Sequence, residues 1–250
     1  MVCLKVNQLK NNKMVDILAF GAHPDDVELA ASGTILKHIN MGKRVGIVDL
    51  TRGEMGTRGT ASERDAEAIE SSNILGLHVR DNLKFRDCFF EINEEHLLKV
   101  IEQIRRFRPS IVLCNAVNDR HPDHSRASRL ISRACFLSGL SKIKTSFKNL
   151  DQHAFRPNAV YHYIQDYWID PDFIVDVSPF FDLKMKAILS FKSQFYNPDS
   201  KLPETPISTK NFMDSVKARA VAFGRYIGAD YGEGFTAERC IGVDDITILK

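Results

Sequence analysis

Two short segments carry the side chains best suited to chemistry. Residues 23–26 read His-Pro-Asp-Asp, and residues 121–124 read His-Pro-Asp-His. Imidazole and carboxylate groups are ligands for Zn²⁺, and three protein ligands leave the fourth tetrahedral position to water, as in catalytic rather than structural sites. A bound Zn²⁺ lowers the pKa of its water to roughly 7 and polarises a carbonyl, which amide hydrolysis requires. The two segments together therefore predict a catalytic metal site.

Each segment alone also fits a simpler interpretation, the start of a helix. Asp25 or Asp26 could accept amide hydrogen bonds at the positive end of a helix dipole. Two such corners, each after its own predicted strand, are harder to explain by capping, and this favours the metal site. The spacing does not choose which aspartate binds the metal. It also leaves iron(II), cobalt and nickel open beside zinc, because affinity alone does not select among them.

The elements around these segments alternate between strand and helix. Short apolar runs predict strands, and apolar residues at helical spacing predict helices. Ser62 is the predicted cap of the second helix, and Gly76 is its predicted end. The predicted strands are 15–20, 44–50, 78–83 and 110–115, and the predicted helices are 27–41, 61–75, 94–107 and 122–137.

This alternation predicts an α/β fold, with a Rossmann-like open, mostly parallel sheet and helices on both faces. The later chain is less regular, with predicted strands at 159–164 and 173–177, helices at 180–191 and 212–226, and a proline-containing surface loop at 197–208. Residues 14–250 are expected to form a single domain. Residues 1–13 are expected to be a polar N-terminal extension.

Three polar loops follow three of the predicted strands, and in an open α/β sheet such loops converge at the carboxyl ends of the strands. The side chains on these loops can therefore share one cleft. They are His23, Asp25, Asp26, Arg52, Glu54, His121 and His124.

Composition limits the partners. The formal net charge is +2, with 34 basic and 32 acidic residues, so no charge excess points to nucleic acid or an anionic membrane surface. We therefore expect a small-molecule partner, with no nucleic acid and no membrane. Five scattered cysteines without a C-x-x-C pair favour a reducing, cytoplasmic setting. A dinucleotide fingerprint and a P-loop are both absent from the sequence.

At these segments the sequence resembles the PIG-L/LmbE-like zinc de-N-acetylases, whose paired signatures are HPDD and HPDH. The similarity also includes TRGEMGTRG, KSQFYNP and YGEGF and extends over residues 14–242. The sequence is most similar to the branch that deacetylates N-acetylglucosaminyl malate in bacillithiol biosynthesis. Other family substrates, namely chitin disaccharide, a glycolipid or a mycothiol precursor, stay open.

The resemblance implies a role for each residue of the two segments. It implies that zinc is held by His23, Asp26 and His124. Asp25 would act as general base on the metal-bound water, and His121 would stabilise the oxyanion with the metal. Asp123 would orient one of the histidines. The resemblance also implies a homo-oligomer, with the hexamer of several relatives as the expected form.

Four further residues are candidates for binding a sugar or its malate group, because both need guanidinium and carboxylate hydrogen-bond partners. These are Arg52, Glu54, Arg58 and Arg120. Exposed arginines are more often merely solvated. Arg64 and Glu67 could instead tie the second helix to the cleft. The alternative to an enzyme is a module that binds a metal or an anion without turnover.

Overall fold

The computed structural model describes residues 14–248 of the chain. Its strands are β1 (Ile17–Gly21), β2 (Val45–Thr51), β3 (Val79–Phe85), β4 (Ile111–Cys114), β5 (Ser146–Phe147), β6 (Leu150–Asp151), β7 (Ala159–Tyr163), β8 (Phe173–Asp176) and β9 (Gly232–Ala237). Its α-helices are α1 (Asp26–Asn40), α2 (Ala61–Leu75), α3 (Glu94–Phe107), α4 (Pro122–Ser138), α5 (Phe181–Leu189) and α6 (Lys210–Tyr226). Two 3₁₀ turns occupy Ser178–Phe180 and Ile246–Ile248. The predicted extension at 1–13 lies outside the described residues.

Seven of these strands form one mixed sheet in the order β3-β2-β1-β4-β7-β9-β8. The first five are mutually parallel, whereas β9 runs antiparallel to both β7 and β8. The open, mostly parallel sheet is therefore confirmed. Strand β9 was not predicted, because its sequence GEGFTA contains two glycines and lacks the alternation that marks a strand.

Helices cover both faces of the sheet, as predicted. Strand β1 is buried along its whole length and packs on both sides. Leu18 and Phe20 face a core shared with α3 and α4. Ile17 and Ala19 face the other core, shared with α1. Among residues 14–248, no helix combines the length and apolar character that crossing a membrane requires.

The start and end of α2 are set by local chemistry. Thr60 accepts from the backbone N–H of Glu63, whose carboxylate accepts in return from Thr60, so the two form a capping box. The prediction of Ser62 as the cap was wrong, because Thr60, the residue before the helix, supplies the capping side chain. Its hydroxyl accepts from the backbone N–H of Glu63, which has no partner within the helix. Gly76 ends the helix with a φ of 69°, a conformation that glycine adopts without strain.

Two buried charged side chains contact the backbone of α1. Lys184 on α5 donates to the carbonyl oxygen of Leu29 at 2.8 Å. Glu233 on β9 accepts from the N–H groups of Gly33 and Thr34 at 2.9 and 2.7 Å. The two side chains also pair with each other, with Nζ and Oε1 2.6 Å apart. This ion pair connects α1 to α5 and to the unpredicted strand β9.

Candidate metal and catalytic site

The carboxyl ends of β1 and β4 open into a cavity of about 260 Å³. The parallel pairing of these neighbouring strands brings the two His-Pro-Asp segments to the same edge of the sheet. Five residues of the two segments line the cavity: His23, Asp25, Asp26, His121 and His124.

The three histidines of the two segments meet in this cavity. Ring nitrogens of His23, His121 and His124 lie within 4.8 Å of one another. Asp26 joins two of them, with its Oδ1 3.0 Å from Nε2 of His124 and its Oδ2 3.6 Å from Nδ1 of His23. The imidazoles of His23 and His124 and the carboxylate of Asp26 form a donor set that fits a divalent transition metal.

The capping interpretation does not describe Asp25. Asp25 precedes the first residue of α1, yet its side chain makes no capping hydrogen bond. Its carboxylate instead accepts from Nη2 of Arg64 at 2.7 Å. The same guanidinium donates to the carbonyl oxygen of Gly53 at 3.3 Å, so Arg64 ties α2 to the cleft.

The environment of Asp25 suits a proton acceptor. Burial raises the pKa of Asp25 to about 7, against the opposing effect of the Arg64 charge. Its φ of 120° lies in the region that favours glycine. Backbone strain of this kind persists where the surrounding structure holds a residue in place, often at functional sites. A buried carboxyl group that titrates near neutral pH is well matched to general base catalysis.

His121 caps α4 with its own ring. Its Nδ1 accepts from the backbone N–H of Asp123 at 3.2 Å. Because a backbone N–H can only donate, Nδ1 carries the lone pair, and the neutral ring holds its proton on Nε2. Burial, with the positive charge of His23 and His124, lowers the pKa of His121 to about 4. His121 is therefore neutral near pH 7 and retains one N–H for donation.

Carboxylates behind the other two histidines fix their rings. Nδ1 of His124 lies 2.5 Å from Oδ2 of Asp119. Nε2 of His23 lies 3.0 Å from Oδ1 of Asp87 and 3.6 Å from Oδ2 of Asp123. Such partners orient metal-binding histidines and select their tautomers.

Two of these acids, Asp87 and Asp119, were missed by the sequence analysis. Asp119 stands in the same polar loop as the second segment, five positions before His124. Asp87 follows the end of β3, so the rule that functional side chains follow parallel strands could have found it.

The buried acids also hold positive charge on the histidines. Burial lowers the pKa of His124, but Asp26 and Asp119 outweigh it and raise the value to about 9. The pKa of His23 is likewise above its usual range, because hydrogen bonds to three carboxylates outweigh burial. Burial raises the pKa of Asp26, but the two histidines bring it well below its usual range. A divalent cation can take the place of the protons that this cluster attracts.

The predicted substrate-binding residues separate into two groups. Arg58 and Arg120 line the cavity. Arg120 pairs with Asp166 at 2.5 Å at the exposed rim. Arg58 is buried and donates to the carbonyl oxygen of Ser193 at 2.7 Å, so it also holds the loop after α5.

Arg52 and Glu54 do not line the cavity, contrary to the expectation that they share the cleft. Arg52 is paired with Asp65 on α2. Glu54 accepts from the backbone N–H of Asp87 at 2.8 Å, so it holds the loop that carries this acid. Both side chains are occupied in fixing loops. Glu67, considered from the sequence as a tie between this helix and the cleft, instead ties α2 to the later chain by accepting from the N–H and Oγ of Ser193, each at 2.7 Å.

The fold and the site together define an α/β protein with a histidine and carboxylate cluster at the carboxyl ends of its parallel strands. The sequence profile of the family described as PIG-L, GlcNAc-PI de-N-acetylase, matches residues 18–135, which include both His-Pro-Asp segments. The chain belongs to this family of deacetylases.

Relatives and solved structures extend the similarity over most of the chain. The diacetylchitobiose deacetylase of Thermococcus kodakarensis is 29% identical over 242 residues, or 92% of this chain and 85% of that protein. A probable N-acetyl-alpha-D-glucosaminyl L-malate deacetylase of Bacillus anthracis is 28% identical over 179 residues, 64% of this chain and 77% of that protein. The crystal structure of a conserved protein from Thermus thermophilus superposes with a TM-score of 0.81 at 37% identity, covering 92% of this chain and 98% of that one.

Proposed function

We propose that this chain is a metal-dependent hydrolase that removes the acetyl group from N-acetylglucosaminyl malate. One Zn²⁺, or another divalent metal such as Fe²⁺, is held by His23, Asp26 and His124. The observation that carries the proposal is the meeting of the two distant His-Pro-Asp segments around one cavity, with a strained and buried carboxyl group, Asp25, beside them.

The residues divide the work of amide hydrolysis. When bound, the metal polarises the acetyl carbonyl and the attacking water. Asp25 takes a proton from that water as the water oxygen bonds to the acetyl carbon. It passes the proton to the amine nitrogen as the carbon–nitrogen bond breaks, which releases acetate and the free amine. The Nε2–H of His121 donates a hydrogen bond to the carbonyl oxygen as negative charge develops on it. Arg64 stabilises the ionised form of Asp25, and Asp87, Asp119 and Asp123 hold the ligand histidines in place.

The substrate assignment rests on the family resemblance and on the cavity. Its size fits a small molecule, and Arg58 and Arg120 lie on its wall. The three nitrogens of Arg58 already donate to Ser193, Pro203 and Ser200, so Arg120 is the arginine placed to bind a carboxylate of the malate group. The similarity to a protein described as acting on glucosaminyl malate supports this choice. The similarity to a chitobiose deacetylase makes an acetylated chitin disaccharide the second candidate.

The remaining parts of the proposal concern the whole chain. Residues 14–250 form one catalytic domain, and residues 1–13 precede it as a polar extension. The enzyme acts in the cytoplasm as a homo-oligomer, in the form of a hexamer. The scattered cysteines support the cytoplasmic setting. The family resemblance supports the hexamer.

The direct test combines metal analysis with an assay for released amine. Purified protein is expected to contain one zinc or iron per chain and to release amine from N-acetylglucosaminyl malate faster than from diacetylchitobiose. Preference for the disaccharide would replace the substrate and keep the chemistry. Protein that lacks stoichiometric metal and stays inactive with added Zn²⁺ would favour a binding module.

A further inference from the structure

Both carboxylate oxygens of Asp26 accept hydrogen bonds from groups other than the histidine rings, namely one backbone N–H and two side-chain amides. Oδ2 accepts from the backbone N–H of His23 and from Nδ2 of Asn115, each at 2.9 Å. Oδ1 accepts from Nε2 of Gln165 at 3.1 Å. The two amides are also joined to each other, since Oε1 of Gln165 accepts from Nδ2 of Asn115 at 2.9 Å. Asn115 is fully buried and Gln165 is 4% exposed.

One backbone group sets the direction of all these bonds. The N–H of Ala22 donates to Oδ1 of Asn115 at 2.9 Å. A backbone N–H can only donate, so the other end of the Asn115 amide must be its NH₂ group. That NH₂ faces both Asp26 and the oxygen of Gln165. The Gln165 amide must therefore present its own NH₂ to Asp26.

We propose that Asn115 and Gln165 are positioning residues that fix the Asp26 carboxylate for metal binding. This inference rests on the proposed metal site. The pair connects three adjacent parts of the fold: Ala22 follows β1, Asn115 follows β4, and Gln165 follows β7. Neither amide titrates, so both donate to Asp26 at every working pH.

The physical effect is preorganisation. A carboxylate that accepts hydrogen bonds on both oxygens cannot rotate about its bond to Cβ without losing them. If these hydrogen bonds were lost, the Asp26 side chain would be free to rotate, and metal binding would have to order it. This entropic cost would weaken the affinity for the metal. Loss of such outer partners in other metal sites costs about 10–100-fold in metal affinity.

The test is the zinc dissociation constant of Gln165→Met, measured by competition with a chromophoric chelator. Methionine has nearly the length of glutamine and no charge, and it cannot donate to Asp26. Gln165→Asn is the second variant, because it keeps an amide but is too short to reach. Gln152→Met is the matched control, since Gln152 donates to the carbonyl oxygen of Glu102 at 3.0 Å and does not line the cavity.

We expect both Gln165 variants to bind zinc about 10–100-fold more weakly than the wild type, and the control to bind it unchanged. Unfolding of the metal-free proteins, followed in parallel, separates loss of affinity from loss of fold. Folded Gln165 variants with wild-type zinc affinity would overturn the inference, as would failure of both to fold.

The wild type distinguishes this inference from the proposed function. If it binds zinc but releases no amine, the proposed reaction fails, while the role of Gln165 is still decided by the ratio of the dissociation constants of the variants and the wild type. If it binds no divalent metal, both fail.

Discussion

At the scale of single residues, Asp25 and Asp26 are neighbours with opposite electrostatic roles. Asp26 faces two histidines, and its pKa is held well below the usual range despite burial. Asp25 faces Arg64, and burial raises its pKa to about 7. Adjacent side chains at a strand-to-helix corner point in different directions, so one carboxylate can bind a cation while the other exchanges a proton.

Removing the side chain of Asp25 should separate catalysis from metal binding. We expect Asp25→Ala to lower kcat by at least about 100-fold, because general base catalysis contributes about 10²–10⁴-fold. One metal per chain should remain, because the ligands are intact. Asp65→Ala is the control, since Asp65 pairs with Arg52 outside the cavity. Normal turnover by Asp25→Ala would refute the role.

The charge of Arg64 should set the acid limb of the pH profile. A general base must be ionised, so activity should fall as the pH drops through the pKa of Asp25, which burial raises above its ordinary value. Arg64 favours the ionised form, so Arg64→Met should move the limb of kcat/KM to higher pH. Arg64→Lys keeps the charge and should move it less. Profiles of the metal-saturated enzymes check this, and a shift to lower pH in Arg64→Met would contradict it.

At the residue scale, the sequence identified the two segments but not the groups that hold them. The motifs were visible because their residues are adjacent in the chain. Asn115 and Gln165 belong to no recognisable motif in the sequence, and only the pairing of β1, β4 and β7 brings their side chains to Asp26. The same limit explains Arg52, which followed a strand as expected but found an acidic partner on α2.

At the scale of elements, α1 connects the site to α5 and β9. Its first residue is Asp26, and its middle is held by Lys184 and Glu233. The periodicity of the sequence predicted α1 and α5 as helices, but it did not predict that β9 would contact α1. Two glycines conceal β9 in the sequence. They are needed because an added Cβ at Gly232 would lie 2.6 Å from Cγ2 of Ile174, and one at Gly234 would lie 3.0 Å from the ring of Phe223.

Breaking the buried ion pair should destabilise the protein strongly. We expect Lys184→Met to lower the free energy of unfolding by about 3–5 kcal/mol, because it leaves the Glu233 carboxylate buried without its partner. Lys186→Met, outside the buried face of the same helix, should change it by less than about 0.5 kcal/mol. Denaturant unfolding of both variants provides the measurement. Equal, small effects would show that the pair contributes little.

At the scale of the whole molecule, the two parts of the chain contribute different sides of the cavity. The family profile covers residues 18–135, which contain the histidine and carboxylate cluster and Asp25, the proposed general base. The later chain supplies the rest of the lining, which mixes polar and apolar side chains: Gln165, Asp166, Gln194, Thr205, Pro206, Ile207, Phe212, Val216 and Arg219. We infer that the earlier part determines the reaction and the later part helps to determine which amide enters.

Metal binding should stabilise the whole fold, because the cluster brings together ligands from α1 and α4 that unfolding separates. Free Zn²⁺ at one hundred times its dissociation constant is expected to add about 2.7 kcal/mol to the free energy of unfolding. Thermal melts with and without chelator should therefore differ in Tm. His124→Ala should reduce this difference, whereas His153→Ala, outside the cavity lining, should leave it intact. A metal-independent Tm in the wild type would contradict the expectation.

The most direct measurement is anomalous diffraction at the zinc absorption edge from crystals of the zinc-loaded protein. We predict one strong peak per chain, roughly 2.0–2.2 Å from a nitrogen of His23, a nitrogen of His124 and an oxygen of Asp26. A peak elsewhere, or a cavity in which the two histidines hold no common ion, would contradict it.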